Sequence, residues 1–201
     1  MQSLGTLKKN VAVLVAVALW IPALGFGIRT LWQYADTPGL AATPPAVWPA
    51  DTRARLAPGR ATLVIFAHPQ CPCSRATIGE LAWVMAHCRE KVEVSVWFYA
   101  PSQEPGNWPK TELWRSAAAI PGVGVFEDKD GSEARRFGAS TSGQALLYDS
   151  GGRLAFNGGI TAFRGHSGDN DGRDAIVSLV HGGTPARRAT PVFGCSLSRE
   201  K

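Results

Sequence analysis

What the sequence lacks narrows the field first. Its 21 Lys+Arg and 16 Asp+Glu give a net charge of +5 with no long basic run, and no tract interleaves aromatic with basic residues. A nucleic-acid surface therefore finds no support, and the surplus reads as a solvated basic face. Arg187 and Arg188 are two charges, too few to mark an anionic partner. There is no internal repeat and no low-complexity tract. The stretch Asp169-Asn170-Asp171-Gly172 lacks the bidentate Glu that a calcium loop needs at its far end. What remains is a 201-residue chain with 45% hydrophobic residues, enough for one ordinary core plus a tail.

A cleavage signal is also missing. Val11 to Ile28 is an uncharged run of 18 residues, just long enough to span a bilayer core as a helix. Arg29-Thr30-Leu31-Trp32-Gln33-Tyr34 follows it, where a signal peptidase would need small residues. Ala41-Ala42 come too late. The run therefore reads as a retained signal anchor. Lys8 and Lys9 before it, against Arg29 after it, orient the N-terminus inward and the domain outward. The expected organisation is a membrane anchor over 1–31, a Pro-rich linker over 32–59 and a domain over 60–201 with a cysteine-bearing tail. The linker is read from Pro38, Pro44, Pro45, Pro49 and Pro58, with Ala46-Val47-Trp48 the part able to pack on the core. The expected location is the inner membrane, single-pass, with the domain in the periplasm, where disulfides persist. The four cysteines, Cys71, Cys73, Cys88 and Cys195, allow three pairings, and spacing does not choose among them.

The chain is organised around Thr62-Leu63-Val64-Ile65-Phe66-Ala67-His68-Pro69-Gln70-Cys71-Pro72-Cys73-Ser74-Arg75. A short apolar, β-branched run over 61–67 reads as a buried strand. A polar turn follows, and a helix is expected from Pro72 to Arg89 with Ile78, Leu81, Ala82, Met85 and Ala86 on its apolar face. Pro72 suits a first helical turn. Thiols at a helix N-terminus ionise readily, because unpaired N–H groups and the macrodipole favour an anion there. Downstream, Val92 to Tyr99 alternates as a strand. Thr111 to Ala119 is a helix with Thr111 as its cap, Val123 to Phe126 a strand, and Ser132 to Phe137 a helix capped by Ser132 and ended by Gly138. Gln144 to Tyr148 and Arg153 to Phe156 make a hairpin around Asp149-Ser150-Gly151-Gly152. Arg173 to His181 is the last helix, headed by Asp169 or Asp171. The order implies an α/β fold, a mixed sheet with helices on both faces.

Cysteines between a strand end and a long helix, then β-α-β, a hairpin and a closing helix, resemble the thioredoxin-like superfamily. The segment Phe137 to Leu154 looks like the part of membrane-anchored extracytoplasmic redoxins that leads into their hairpin. His-Pro-Gln-Cys-Pro-Cys-Ser-Arg-Ala, with Thr-Pro-Val-Phe-Gly-Cys-Ser-Leu near the C-terminus, is similar to the RedB-like group of these redoxins. The resemblance covers residues 60 to 197 and implies thiol–disulfide exchange. Three departures stand beside it. The second cysteine of the family's Cys-x-x-Cys falls on Ser74, with Cys73 between. Thr141-Ser142-Gly143 replaces the family's cis-proline. Thr62 to Phe66 carries no acidic residue beneath the site.

Cys71 is the expected nucleophile, His68 its candidate base, and Cys73 or Cys195 the partner that resolves a mixed disulfide. Cys195 reads equally as a structural clip to Cys71, Cys73 or Cys88. The Cys88 reading is a buried small hydrophobe, since about 22 Å of helix separates it from Cys73. His166 lies in a polar loop able to approach the site. A threonine three residues before the cysteine, the peroxide-reducing pattern, is replaced by His68. The principal expectation is a membrane-anchored oxidoreductase with a Cys-Pro-Cys-Ser site, acting without a cofactor on extracytoplasmic protein thiols or disulfides. The alternative is a copper-binding module that uses Cys71, Cys73 and His68, ligands that Cu(I) prefers.

Overall fold

The computed structural model describes residues 2–197. Met1, at the start of the expected anchor, and 198–201, the end of the expected domain, lie outside the described residues. Two compact units divide the chain, Met1–Asp36 and Thr37–Lys201.

The first unit is one helix, α1 (Gln2–Asp36), with Pro22 inside it. Its segment Lys8–Asp36 is long and apolar enough to cross a membrane. Leu14, Leu19 and Phe26 on it are exposed. The helix runs past the expected limit at Leu31 because nothing stops it there. The first breaker is Pro38, which disfavours helical geometry at Thr37 before it.

The second unit is built on a five-stranded sheet in the order β3-β2-β1-β4-β5. The strands are β1 (Ala61–Ala67), β2 (Val92–Ala100), β3 (Val123–Lys129), β4 (Gln144–Tyr148) and β5 (Leu154–Gly158). The first three run parallel, β4 is antiparallel to β1, and β5 is antiparallel to β4. β1 is central and almost wholly buried, so it reads as a continuous apolar run rather than an alternation. Successive side chains still go to opposite faces. Leu63 and Ile65 meet α2 (Ser74–Cys88), α3 (Glu112–Ala118) and α5 (Asp171–Val180) through Leu81, Val84, Ala117 and Ile176. Val64 and Phe66 meet Trp97, Phe137, Leu146 and Tyr148 on the other face, beside α4 (Ser132–Arg136).

Residues 37–60 form an irregular layer over that second face, and Trp48, in the part of the linker expected to pack on the core, lies within it. Trp48 stands edge-on to Phe137 and Tyr148 at 5.2 and 5.1 Å. Tyr148 Oη donates to Pro45 O, and Trp48 N to Gly152 O. Prolines forbid a regular element here, yet the sheet face still needs an apolar cover.

Four local expectations change. In α2 the buried stripe includes Glu80, Val84 and Cys88, while Ala82 and Ala86 face outward. Glu80 is inside because Arg173 meets it: Nη1 lies 3.0 Å from Oε2, and the guanidinium sits 3.8 Å over the Trp83 ring. At α3, Thr111 holds the cap position but its hydroxyl donates to Pro69 O at 3.1 Å, tying this helix to the cysteine turn. At α4 the N-cap is Gly131 rather than Ser132, and the Asp128 carboxylate takes the N–H groups of Glu133 and Ala134. Asn170, not an aspartate, caps α5 by accepting from Arg173 N at 2.8 Å.

Candidate active site

β1 ends at Ala67 and α2 opens at Ser74, so His68 to Cys73 form the turn between sheet and helix. Cys71 N donates to His68 O at 3.0 Å, Ser74 N to Cys71 O at 3.1 Å and Ala76 N to Cys73 O at 3.2 Å. Pro72 has no N–H to lose in this tight ladder. Both cysteines are thereby placed at the N-terminal end of α2.

The tail crosses the same place. Thr141 and Ser196 form an antiparallel bridge, Ser142 N donates to Cys195 O at 2.8 Å, and Leu197 N donates to Ser140 O at 2.9 Å. Cys195 Sγ comes to 3.1 Å from Cys71 Sγ, bringing together residues 124 apart in sequence. This is a thiol contact rather than a bond, since a disulfide measures about 2.05 Å; all four cysteines are free thiols.

Both sulfurs of the polar turn are buried. Cys71 is 4% exposed and Cys73 7%. The tail strand covers them, and what it seals in is polar. Ser74 Oγ and Ser142 Oγ are 2.6 Å apart, and His68 N donates to Ser142 Oγ at 2.7 Å. Ser142 thus joins the tail to the turn. Its backbone holds Cys195 and its hydroxyl holds the cysteine turn.

These contacts separate the thiols electrostatically. Burial opposes ionisation of Cys71, but hydrogen bonds from the Cys195 and Ser74 side chains and backbones outweigh it and hold the thiol below its ordinary value. Burial and the neighbouring Cys71 charge push Cys73 up, against Arg164. Cys195 is pushed up to about 12 by burial, by its hydrogen bond to Cys71 and by that sulfur's charge. With Cys71 ionised, Cys195 keeps its proton and donates it. Alkylation rate follows the thiolate fraction, so a lowered value moves the rate profile toward lower pH. Iodoacetamide labelling read by mass spectrometry is expected to modify Cys71 at lower pH than Cys73 or Cys195.

His68 sits in the turn beside Cys71. Its Nδ1 accepts from Gln70 N at 3.2 Å, and its ring stacks on Tyr99 and stands edge-on to Trp108. The largest influences on Cys71 are burial, Cys195 and Ser74. Among the described residues, no three His, Cys, Asp or Glu side chains are grouped to hold a metal ion. His166 packs on Phe163 in the loop before α5. Cys88 is buried at the far end of α2, with its thiol pushed up to about 11 by burial. A cleft of about 1000 Å³ opens beside it, between Arg60, Lys91 and His181.

Ser142 and Arg164 were not singled out from sequence. Arg164 Nη1 donates to Gly194 O at 2.7 Å and Nε to Thr37 O at 3.1 Å, pinning the tail while its charge favours the Cys73 and Cys195 anions. Its only sequence signal is a position in a long polar loop. Ser142 was signalled by the missing proline.

No family model matches the chain, and no curated protein matches it. Solved structures do. An uncharacterized conserved protein from Geobacillus kaustophilus superposes with a TM-score of 0.59 at 18% identity, over 82% of this chain and 93% of that one. A hypothetical protein from Sinorhizobium meliloti gives 0.55 at 22% identity, over 80% and 93%. A secreted Mycobacterium tuberculosis disulfide oxidoreductase gives 0.46 at 15% identity, over 62% and 83%. The sheet order, the parallel β1–β2 crossover, the antiparallel hairpin and the cysteine turn at the head of α2 make this a chain of thioredoxin-like fold, preceded by a helix apolar enough to span a membrane.

Proposed function

We propose that this protein is a membrane-anchored thiol–disulfide oxidoreductase whose domain works outside the cytoplasm, in the periplasm of a cell with two membranes, on protein thiols or disulfides. The observation that carries the reading is the 3.1 Å approach of Cys195 to a Cys71 sulfur held below its ordinary pKa. Two thiols so placed, one ionised and one protonated, are a dithiol ready to exchange. The N-terminal helix and the lysines before it support the location.

The exchange balances as follows. Cys71 thiolate attacks one sulfur of a partner disulfide, and the partner's other sulfur leaves as thiolate. Cys195 then loses its proton and attacks Cys71 Sγ. The partner's first sulfur leaves as thiolate, and a Cys71–Cys195 disulfide remains. Two electrons pass to the partner; in reverse, a partner dithiol is oxidised. Forming the mixed disulfide removes the Cys71 charge, one of the causes that keep Cys195 protonated. The first step therefore prepares the second.

Cys195→Ser is expected to leave the first step and block the second. Incubated with a disulfide-bonded peptide, the variant should accumulate a Cys71 mixed disulfide on intact-mass spectra, while the unaltered chain turns it over. An adduct that clears equally fast in the variant assigns resolution to Cys73 and removes Cys195 from the mechanism.

A further inference from the structure

The tail is attached in two ways. Upstream, Asn157 N donates to Arg188 O at 3.0 Å, Thr190 N to Asn157 O at 3.2 Å and Thr190 Oγ1 to Gly159 O at 2.8 Å. This part lies beside β5 like an added strand. Downstream, residues 195–197 pair with 140–142, and Leu197 is buried in the core of the second face. Gly194 lies between the two. A Cβ there would collide with the Ser142 carbonyl oxygen, so only glycine lets the tail pass this close. The downstream pairing runs through the main-chain groups Ser142 N and Ser140 O, and it delivers a cysteine to Cys71. Main-chain pairing of this kind accepts any extended segment.

We propose that residues 193–197 are a strap lying on the docking edge of this site, and that an extended, cysteine-bearing segment of a partner protein replaces it on Ser140–Ser142 with its own sulfur at Cys71. This rests on the reading of Cys71 as nucleophile and adds how a protein reaches a sulfur that is 4% exposed. The strap lifts at Gly194 while the upstream part stays on β5. The displaced segment returns with Cys195 once the mixed disulfide has formed, attacks Cys71 Sγ and releases the partner's sulfur as thiolate.

The test uses the full chain and its Gly194→Ala and Leu197→Ala variants. The first pushes the strap off its edge, and the second removes its apolar anchor. The probe is a peptide of the sequence Phe193 to Leu197 with its cysteine activated as a thiopyridyl disulfide. The comparator is the same peptide methylated on the leucine nitrogen, which cannot donate to Ser140 O. Thiopyridone release and the mass of the Cys71 adduct are read. Each variant is expected to react about tenfold or more faster than the unaltered chain, on the scale of one buried leucine. The methylated peptide should react about fivefold slower than its parent, the worth of one backbone hydrogen bond. Dithiodipyridine, which needs no docking edge, reports on Cys71 itself. If it modifies Cys71 while the variants and the methyl group change nothing, the strap is overturned and the nucleophile stands. If it leaves Cys71 unmodified even in Leu197→Ala, where the strap is loosened, both fall. Should Gly194→Ala melt too low to assay, Leu197→Ala decides.

Discussion

Cys71→Ser is expected to abolish exchange, lowering turnover of a model disulfide on the order of 10³-fold or more, as loss of an attacking nucleophile does. A serine hydroxyl stays protonated near neutral pH and does not attack a disulfide sulfur. No neighbour substitutes for the thiolate. Cys73 is pushed up by burial and Cys195 to about 12, so neither is ionised in the range where Cys71 is. In the variant Cys195 also loses the charge it donates to, and its pKa should fall from that raised value. The measurement is the rate of reduction of a fluorogenic peptide disulfide by the reduced protein, with melting temperature as the control for folding. A variant that keeps a tenth of the activity or more contradicts the assignment.

The second large effect is on stability. Arg173→Leu is expected to destabilise the domain by about 3–5 kcal/mol, seen as a lower urea midpoint and a melting temperature lower by about 10 °C. The Glu80 and Arg173 side chains are only 5% and 7% exposed. Removing the cation leaves a carboxylate in the core with only the Gly168 N–H on Oε1 to compensate it. Arg173 Nη2 also reaches Asp169 at 2.6 Å, and the loop before α5 carries Arg164, so tail and core should loosen together. Adding Glu80→Gln to Arg173→Leu should recover part of the loss. A single variant costing under about 1 kcal/mol would place the pair in solvent.

Sequence revealed the elements whose burial leaves a regular pattern. β1 showed as an apolar run, β2 as an alternation, and the cysteine turn as polar residues between a strand and a helix. It failed where burial follows no period. Residues 37–60 carry prolines and no repeat; Trp48 was expected to pack, but Ala54 and Leu56, which cover the same sheet face, carried no signal. Glu80 read as a polar residue because its partner Arg173 lies 93 positions away. The site divides in the same way. Cys71 was legible because its chemistry follows from the turn beside it. Its exposure was not, since the cover comes from a tail more than a hundred residues later. The same long-range pairing chose Cys195 over Cys88, a choice that four cysteines alone leave open.

The most direct measurement is the disulfide map of the full chain, oxidised by equilibration with glutathione, digested without reduction and read by mass spectrometry. A single linkage between the peptides of Cys71 and Cys195, with Cys73 and Cys88 recovered as thiols, is the expected result. A Cys71–Cys73 ring, or any bond to Cys88, would contradict the account.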